Sequence, residues 1–111
     1  IEILQEHDAT DITMAYAYQS LGEQEQALAT IAKCIEEDPD SAELYYSISG
    51  VYGRMGKTEQ ALDNLRIAFE KGYNSFSFIE QDDDLAVLRD NPQYKALIQQ
   101  YKEKLGYKMP Q

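Results

Sequence analysis

The chain has 111 residues, of which 43% are apolar and 11% aromatic, and its formal net charge is −10. This length and composition predict one domain with a buried core. The negative charge disfavours binding to nucleic acid or to an anionic membrane surface, and no apolar run reaches the roughly 20 residues that a membrane-spanning helix needs.

The first predicted elements form a helical hairpin. Residues 12–21 and 24–37 are predicted helices because their apolar residues recur at helical spacing. Asp8 or Thr10 is expected to cap the first helix, and Gly22 to end it, since glycine tolerates the left-handed conformation past a helix end. The apolar residues of this first helix are Met14, Ala15, Tyr18 and Leu21.

The second pair of elements has the same layout. Residues 42–55 and 58–71 are predicted helices, with Ser41 or Asp40 as the cap of the first one and Gly56 at the turn. Each helix is joined to the next by only a few residues, so neighbouring helices are expected to run antiparallel.

The pattern changes after residue 75. A third first-helix begins at Phe76, and the acidic residues 82–84 interrupt it. Residues 85–89 are expected to form a short helical or irregular turn. Asn91 followed by Pro92 then predicts the start of a last helix over 93–105, with Tyr94 and Tyr101 among its core contacts.

Two segments of the chain repeat in phase. Residues 22–28 return as residues 56–62, and Tyr18 returns as Tyr52, a spacing of 34 residues in each case. A fixed period of this size is typical of stacked-repeat proteins, in which each unit covers the apolar side of its neighbour.

The repeated residues resemble the tetratricopeptide repeat. The first unit supplies Met14, Ala15, Tyr18, Gly22, Ala27, Ile31, Cys34 and Pro39, and the second supplies Tyr45, Ile48, Ser49, Tyr52, Gly56, Ala61, Leu65, Ala68 and Tyr73. The departures are Asp11 at a place for a large residue, Cys34 for an alanine and Tyr73 for a proline. Ala15 and Ser49 are small enough to let the two helices of each unit approach closely.

The resemblance implies an all-α fold, a right-handed superhelical stack of antiparallel helix pairs. We expect a leader or helix remnant at 1–7, repeat units at 8–41 and 42–75, a degenerate closing unit at 76–106 and a tail at 107–111. Within it, residues 84–97 resemble the degenerate closing unit found at the end of many bacterial arrays of this repeat.

In this family the first helices of successive units line a concave groove. Carried over to this sequence, the groove candidates are Ile12, Tyr16, Gln19, Glu43, Tyr46, Gly50, Gly53 and Arg54. The lysine and asparagine residues with which some members clamp a carboxylate are missing, since the corresponding places hold Ile12, Tyr16, Ser47, Ser77 and Gln81.

Gly50 and Gly53 lie inside one predicted helix, where each costs about 1 kcal/mol relative to alanine. One interpretation is a shallow groove floor between Tyr16 and Tyr46, where the backbone or a helix of a partner comes close. The other is that the glycines are tolerated, or are needed for packing against the neighbouring first helix.

Three features that resemble chemical sites are weak. The acidic residues 82–84 lack the alternating oxygens, the glycine and the distant glutamate of a calcium loop. His7 is the single histidine, so the usual catalytic triad and a two-histidine metal site are not expected. Cys34 is expected to act as a small buried apolar residue.

The leading expectation is therefore an acidic, soluble, non-catalytic scaffold that binds a protein partner, as a peptide or helix, in a tyrosine-lined groove without cofactor or metal. Two alternatives stay open. One is assembly through an exposed end of the stack, as a homodimer or as part of a longer repeat array; the other is a docking or sensory region of a longer signalling protein. The sequence identifies neither the partner nor the compartment, because the chain begins with Ile1 and a cytoplasmic protein and an exported, periplasmic one fit equally well.

Overall fold

The computed structural model describes residues 11–105, and these residues are helical with short connections. The predicted leader, the tail and the expected caps Asp8 and Thr10 lie outside the described residues. The elements are α1 (Ile12–Ser20), α2 (Gln24–Glu37), α3 (Ala42–Arg54), α4 (Thr58–Glu70), α5 (Phe76–Gln81), the 3-10 helix η1 (Asp83–Leu88) and α6 (Pro92–Lys104).

Short polar side chains fix where three of these helices begin. The Ser41 hydroxyl accepts the Leu44 amide at 3.1 Å, and the Asn91 side chain accepts the Gln93 amide at 2.7 Å, ahead of a proline in the first turn. Helix α1 is capped by Asp11, so the expectation of Asp8 or Thr10 was wrong. The cap lies directly before the helix, where its carboxylate reaches the amide of Thr13 at 3.0 Å.

Helices α1 and α3 end in the same glycine turn, as predicted. Gly22 has φ 80° and Gly56 has φ 78°, a conformation that side chains disfavour. Past each glycine the next amide returns to a carbonyl of the last turn, from Glu23 to Tyr18 at 2.8 Å in the first unit. The two units therefore share one backbone design, and the prediction of paired antiparallel helices is confirmed.

Small residues lie buried at equivalent places of the two hairpins. Ala15 and Ala27 in the first hairpin, and Ser49 and Ala61 in the second, are completely buried. The Ser49 hydroxyl donates to the Ala61 carbonyl oxygen at 2.7 Å, which satisfies a polar group inside the core. This is the close approach that the sequence predicts for Ser49.

An aromatic cluster in the core joins the second hairpin to the closing unit. Phe69 of α4 packs on Phe76 of α5 and on Tyr101 of α6, with ring centroids 5.3 and 5.2 Å away. All three are buried, and so is Tyr94, so the predicted core role of the two tyrosines of the last helix is confirmed. An ion pair of 2.9 Å between Lys102 and Glu80 also links α6 to α5.

The first hairpin is less well covered than predicted. Met14 and Leu21 keep 44% and 72% of their surface exposed, although the sequence places them on the apolar side of α1. Within residues 11–105, this hairpin has a neighbouring unit on one side only. The described residues form a stack of helical hairpins, and its right-handed superhelical sense stays a prediction.

Candidate functional site

The groove candidates all lie on the first helices of the two units, α1 and α3. Ile12, Tyr16 and Gln19 follow one another along a single face of α1 and are half-buried. On α3 the exposed candidates are Glu43 and Arg54, and the buried ones are Tyr46, Gly50 and Gly53.

Two hydrogen bonds join α1 to α3 on this face. The Tyr16 hydroxyl donates to the backbone oxygen of Ser47 at 3.0 Å, and the Gln19 amide donates to the backbone oxygen of Arg54 at 3.5 Å. The candidates of the first unit are therefore neighbours of those of the second.

The two glycines of α3 are covered by the chain itself. A Cβ atom at Gly50 would collide with the Tyr16 hydroxyl, and one at Gly53 would collide with the backbone oxygen of Asp84. A backbone does come close to α3, as one interpretation of the sequence expects, but it belongs to η1. Gly50 and Gly53 thus do not form an open floor in this structure, and packing against neighbouring elements explains them.

Two acidic residues of the closing unit reach the predicted site. Asp82 caps η1 by accepting the Asp84 amide at 2.9 Å, and its other carboxylate oxygen accepts the Tyr46 hydroxyl. The Asp84 carboxylate forms an ion pair with Arg54 at the far end of α3. The sequence indicated capping and turn formation for residues 82–84 but not these contacts, which span 30 or more residues of chain.

The segment that covers α3 is firmly anchored. Leu85 and Leu88 of η1 are completely buried, and burying a leucine contributes about 1.5–3 kcal/mol. Arg89 donates to the backbone oxygens of Asp82 at 2.6 Å and of Ile79 at 3.2 Å, which fixes the corner between α5 and η1. Contacts of this number and strength make η1 a structural part of the stack.

The tyrosines on this face are held in the protonated form. Burial, followed by the hydrogen bond to Asp82 and the charge of that carboxylate, raises the pKa of Tyr46 far above its ordinary value. Burial and the nearby carboxylate of Asp84 raise the pKa of Tyr16 in the same direction. Both hydroxyls therefore stay hydrogen-bond donors above about pH 10, where an ordinary tyrosine ionises.

This shift predicts a loss of stability in alkali. Above about pH 10 the tyrosines of the unfolded chain ionise, whereas Tyr16 and Tyr46 of the folded chain keep their protons. The unfolded state then binds fewer protons, so the free energy of unfolding falls as the pH rises. Urea unfolding between about pH 9 and about pH 11 measures this slope, which should become shallower in Tyr46→Phe. A slope that is the same in Tyr46→Phe as in the parent would contradict the raised pKa of Tyr46 in the folded chain.

A cluster of three aromatic rings lies beside this face. Tyr46 stacks on Tyr73, with ring centroids 4.5 Å apart and planes 9° from parallel, and contacts Phe78 at 5.9 Å. We call these three residues the aromatic patch. Tyr46 is buried, Tyr73 is half-buried and Phe78 is 57% exposed. The sequence analysis did not include Tyr73 and Phe78 among the groove candidates. The one sequence signal for this patch was Tyr73 itself, which stands where the repeat prefers proline.

The described residues also bear on the three weak chemical features. No group of three or more His, Cys, Asp or Glu side chains between residues 11 and 105 is placed to hold a metal ion. Cys34 is buried, as predicted, and burial together with Glu37 and Asp11 raises the pKa of its thiol. His7 lies outside the part of the chain that the structure describes.

A comparison with known protein families identifies the first hairpin. Residues 12–41 match the family model described as a tetratricopeptide repeat. Neither a curated protein nor a solved structure matches the chain at a significant level. In the described range, no helix has the length and apolar character needed to cross a membrane.

Proposed function

With residues 12–41 established as a tetratricopeptide repeat, we propose that this protein is a non-catalytic interaction module that receives a peptide or a helix of its partner on the concave face. The repeat itself indicates a protein–protein interaction module, and members of this family are typically scaffolds without enzymatic activity. Stacked repeats create extended concave surfaces, which suit a partner presented as a helix or an extended segment.

The observation that carries the proposal is the match to this repeat, seen together with its packing against a second hairpin of the same design. Ile12, Tyr16 and Gln19 offer a mixed apolar and polar surface on α1, and Glu43 and Arg54 lie near the two ends of α3. Because η1 covers the glycines of α3, we propose that the partner contacts these five side chains around η1 and does not contact the glycines.

A peptide display library, selected on the immobilised protein, tests the proposal. Binders are compared on two double variants that each add two positive charges: Ile12→Lys with Gln19→Lys on the concave face, and Ala29→Lys with Gln60→Lys on the second helices. Both control positions are exposed. We expect the concave variant to lose binding and the control to keep it. Binders that tolerate the concave variant as well as the control would show that the concave face is not the site.

The exposed apolar residues of the first hairpin favour a second candidate function, assembly. Met14, Leu21 and Leu28 keep 44%, 72% and 36% of their surface exposed, in a region where a further unit or a second copy could stack. Sedimentation analysis of the parent and of Leu21→Lys tests this. A concentration-dependent dimer that the substitution dissociates would support assembly, and a monomer at all concentrations would remove it.

A further inference from the structure

We propose that the aromatic patch binds a basic segment of the partner protein. In this arrangement an arginine or lysine side chain of the partner lies against Tyr73 and Phe78 and pairs with Glu43. This inference rests on the proposed function, because it names the chemistry of the partner that the interaction module receives.

The first support is an aromatic surface held open to solvent. The Phe78 ring contacts the buried Tyr46, yet 57% of the residue is exposed. By contrast Phe69 and Phe76, the other phenylalanines, are almost completely buried. Exposed aromatic surface supported by a rigid neighbour is typical of interaction sites, since large contact area forms there with little loss of side-chain entropy.

The second support is the charge around the patch. Glu43 is exposed, and its carboxylate makes no ion pair or hydrogen bond with any other residue between 11 and 105. Asp82 receives two neutral donors, the Tyr46 hydroxyl and the Asp84 amide. Glu43 lines the same cavity as Tyr73, and Asp82 accepts from Tyr46, whose ring stacks on Tyr73. Burial, and after it the charges of Asp82 and Glu43, raise the pKa of the Tyr73 hydroxyl. A cation is the complementary charge, and an acidic segment would be repelled.

The third support is a cavity beside Tyr73. Its volume is about 220 Å³, it is open to solvent, and Glu43 and Tyr73 are among its lining residues. Lys71 also lines it, but its ammonium group lies 3.6 Å from Asp40 and 5.7 Å from the centre of the Tyr45 ring. Lys71 is thus paired with Asp40, and the cavity brings the Tyr73 ring together with the Glu43 carboxylate, which has no ion pair within residues 11–105. An aromatic ring beside an unpaired carboxylate attracts a cationic side chain.

Calorimetric titration of the full chain with a synthetic peptide of alternating arginine and leucine tests the inference. A peptide with citrulline in place of arginine keeps the shape and removes the charge, and one with glutamate reverses the charge. We expect the arginine peptide to bind at least about tenfold more tightly than either analogue. Glu43→Gln and Phe78→Ala should each weaken the affinity for the arginine peptide by about two- to fivefold.

Glu25→Gln is the matched control, because it removes the same charge from an exposed position on α2. It should leave the affinity for the arginine peptide unchanged. Equal losses in Glu25→Gln and Glu43→Gln would indicate diffuse attraction to an acidic protein and overturn the inference. An arginine peptide that does not bind, or that binds Phe78→Ala as well as the parent, would overturn it too.

The two proposals fail in different ways. Library binders that depend on the concave face but lack basic residues would leave the proposed function standing and overturn this inference. Circular dichroism of Glu43→Gln and Phe78→Ala should match the parent, since both residues are exposed; a loss of helicity would assign them a structural role and count against the patch as a site.

Discussion

Replacing Phe69 with alanine should lower the free energy of unfolding by about 3–5 kcal/mol. Phe69 is 1% exposed and contacts Phe76 and Tyr101, so the substitution opens a cavity where three helices meet. A domain of this size is stable by about 5–15 kcal/mol, so this is a large fraction of the total.

Urea unfolding followed by circular dichroism measures the effect. Phe78→Ala removes the same side chain from an exposed position in the adjacent helix and should change the free energy by less than about 1 kcal/mol. Equal losses in the two variants would contradict the packing described here, because they would mean that Phe69 is no more buried than Phe78.

Replacing Gly53 with alanine should destabilise the protein, although alanine is the better helix former by about 1 kcal/mol. The new methyl group would meet the backbone oxygen of Asp84, which cannot turn away without moving η1. Overpacking of this kind costs about 1–3 kcal/mol. The closeness of the contact favours the upper part of that range, so we expect a net loss of about 1–2 kcal/mol.

Gly50→Ala is the matched control for this prediction. Its methyl group would meet two side chains and no backbone atom: the end of Tyr16, and the Asp84 carboxylate at 3.1 Å. Side chains can shift where a backbone cannot, and we expect Tyr16 to give up its hydrogen bond to Ser47. That bond contributes about 0.5–1.5 kcal/mol, and the gain in helix propensity offsets it. We expect the free energy of unfolding of Gly50→Ala to differ from that of the parent by less than about 1 kcal/mol. A Gly53→Ala protein that melts at a higher temperature than the parent would disprove the close approach of η1 to α3.

Much of the candidate site was visible in the sequence, because the repeat fixes which positions of α1 and α3 face the same way. The contact of Tyr16 with α3 follows from that register. The partners of Tyr46 and Arg54 could not be predicted, since Asp82 and Asp84 lie in a segment that departs from the repeat. Phe78 was missed for the same reason, and Tyr73 was missed because the repeat has a proline, not a site residue, at its place.

The sequence by itself determined the helices, their pairing and most of their ends; the cap of α1 by Asp11 was not predicted. Ser41 and Asn91 cap helices through bonds to amides two or three residues away, and Gly22 and Gly56 turn the chain through their own backbone angles. Such signals are local, so they can be read without knowing the fold. The tertiary structure alone decided that η1 lies across α3 and covers Gly50 and Gly53. That contact depends on how the closing unit packs on the second hairpin, which is set by the burial of Leu85 and Leu88 far along the chain.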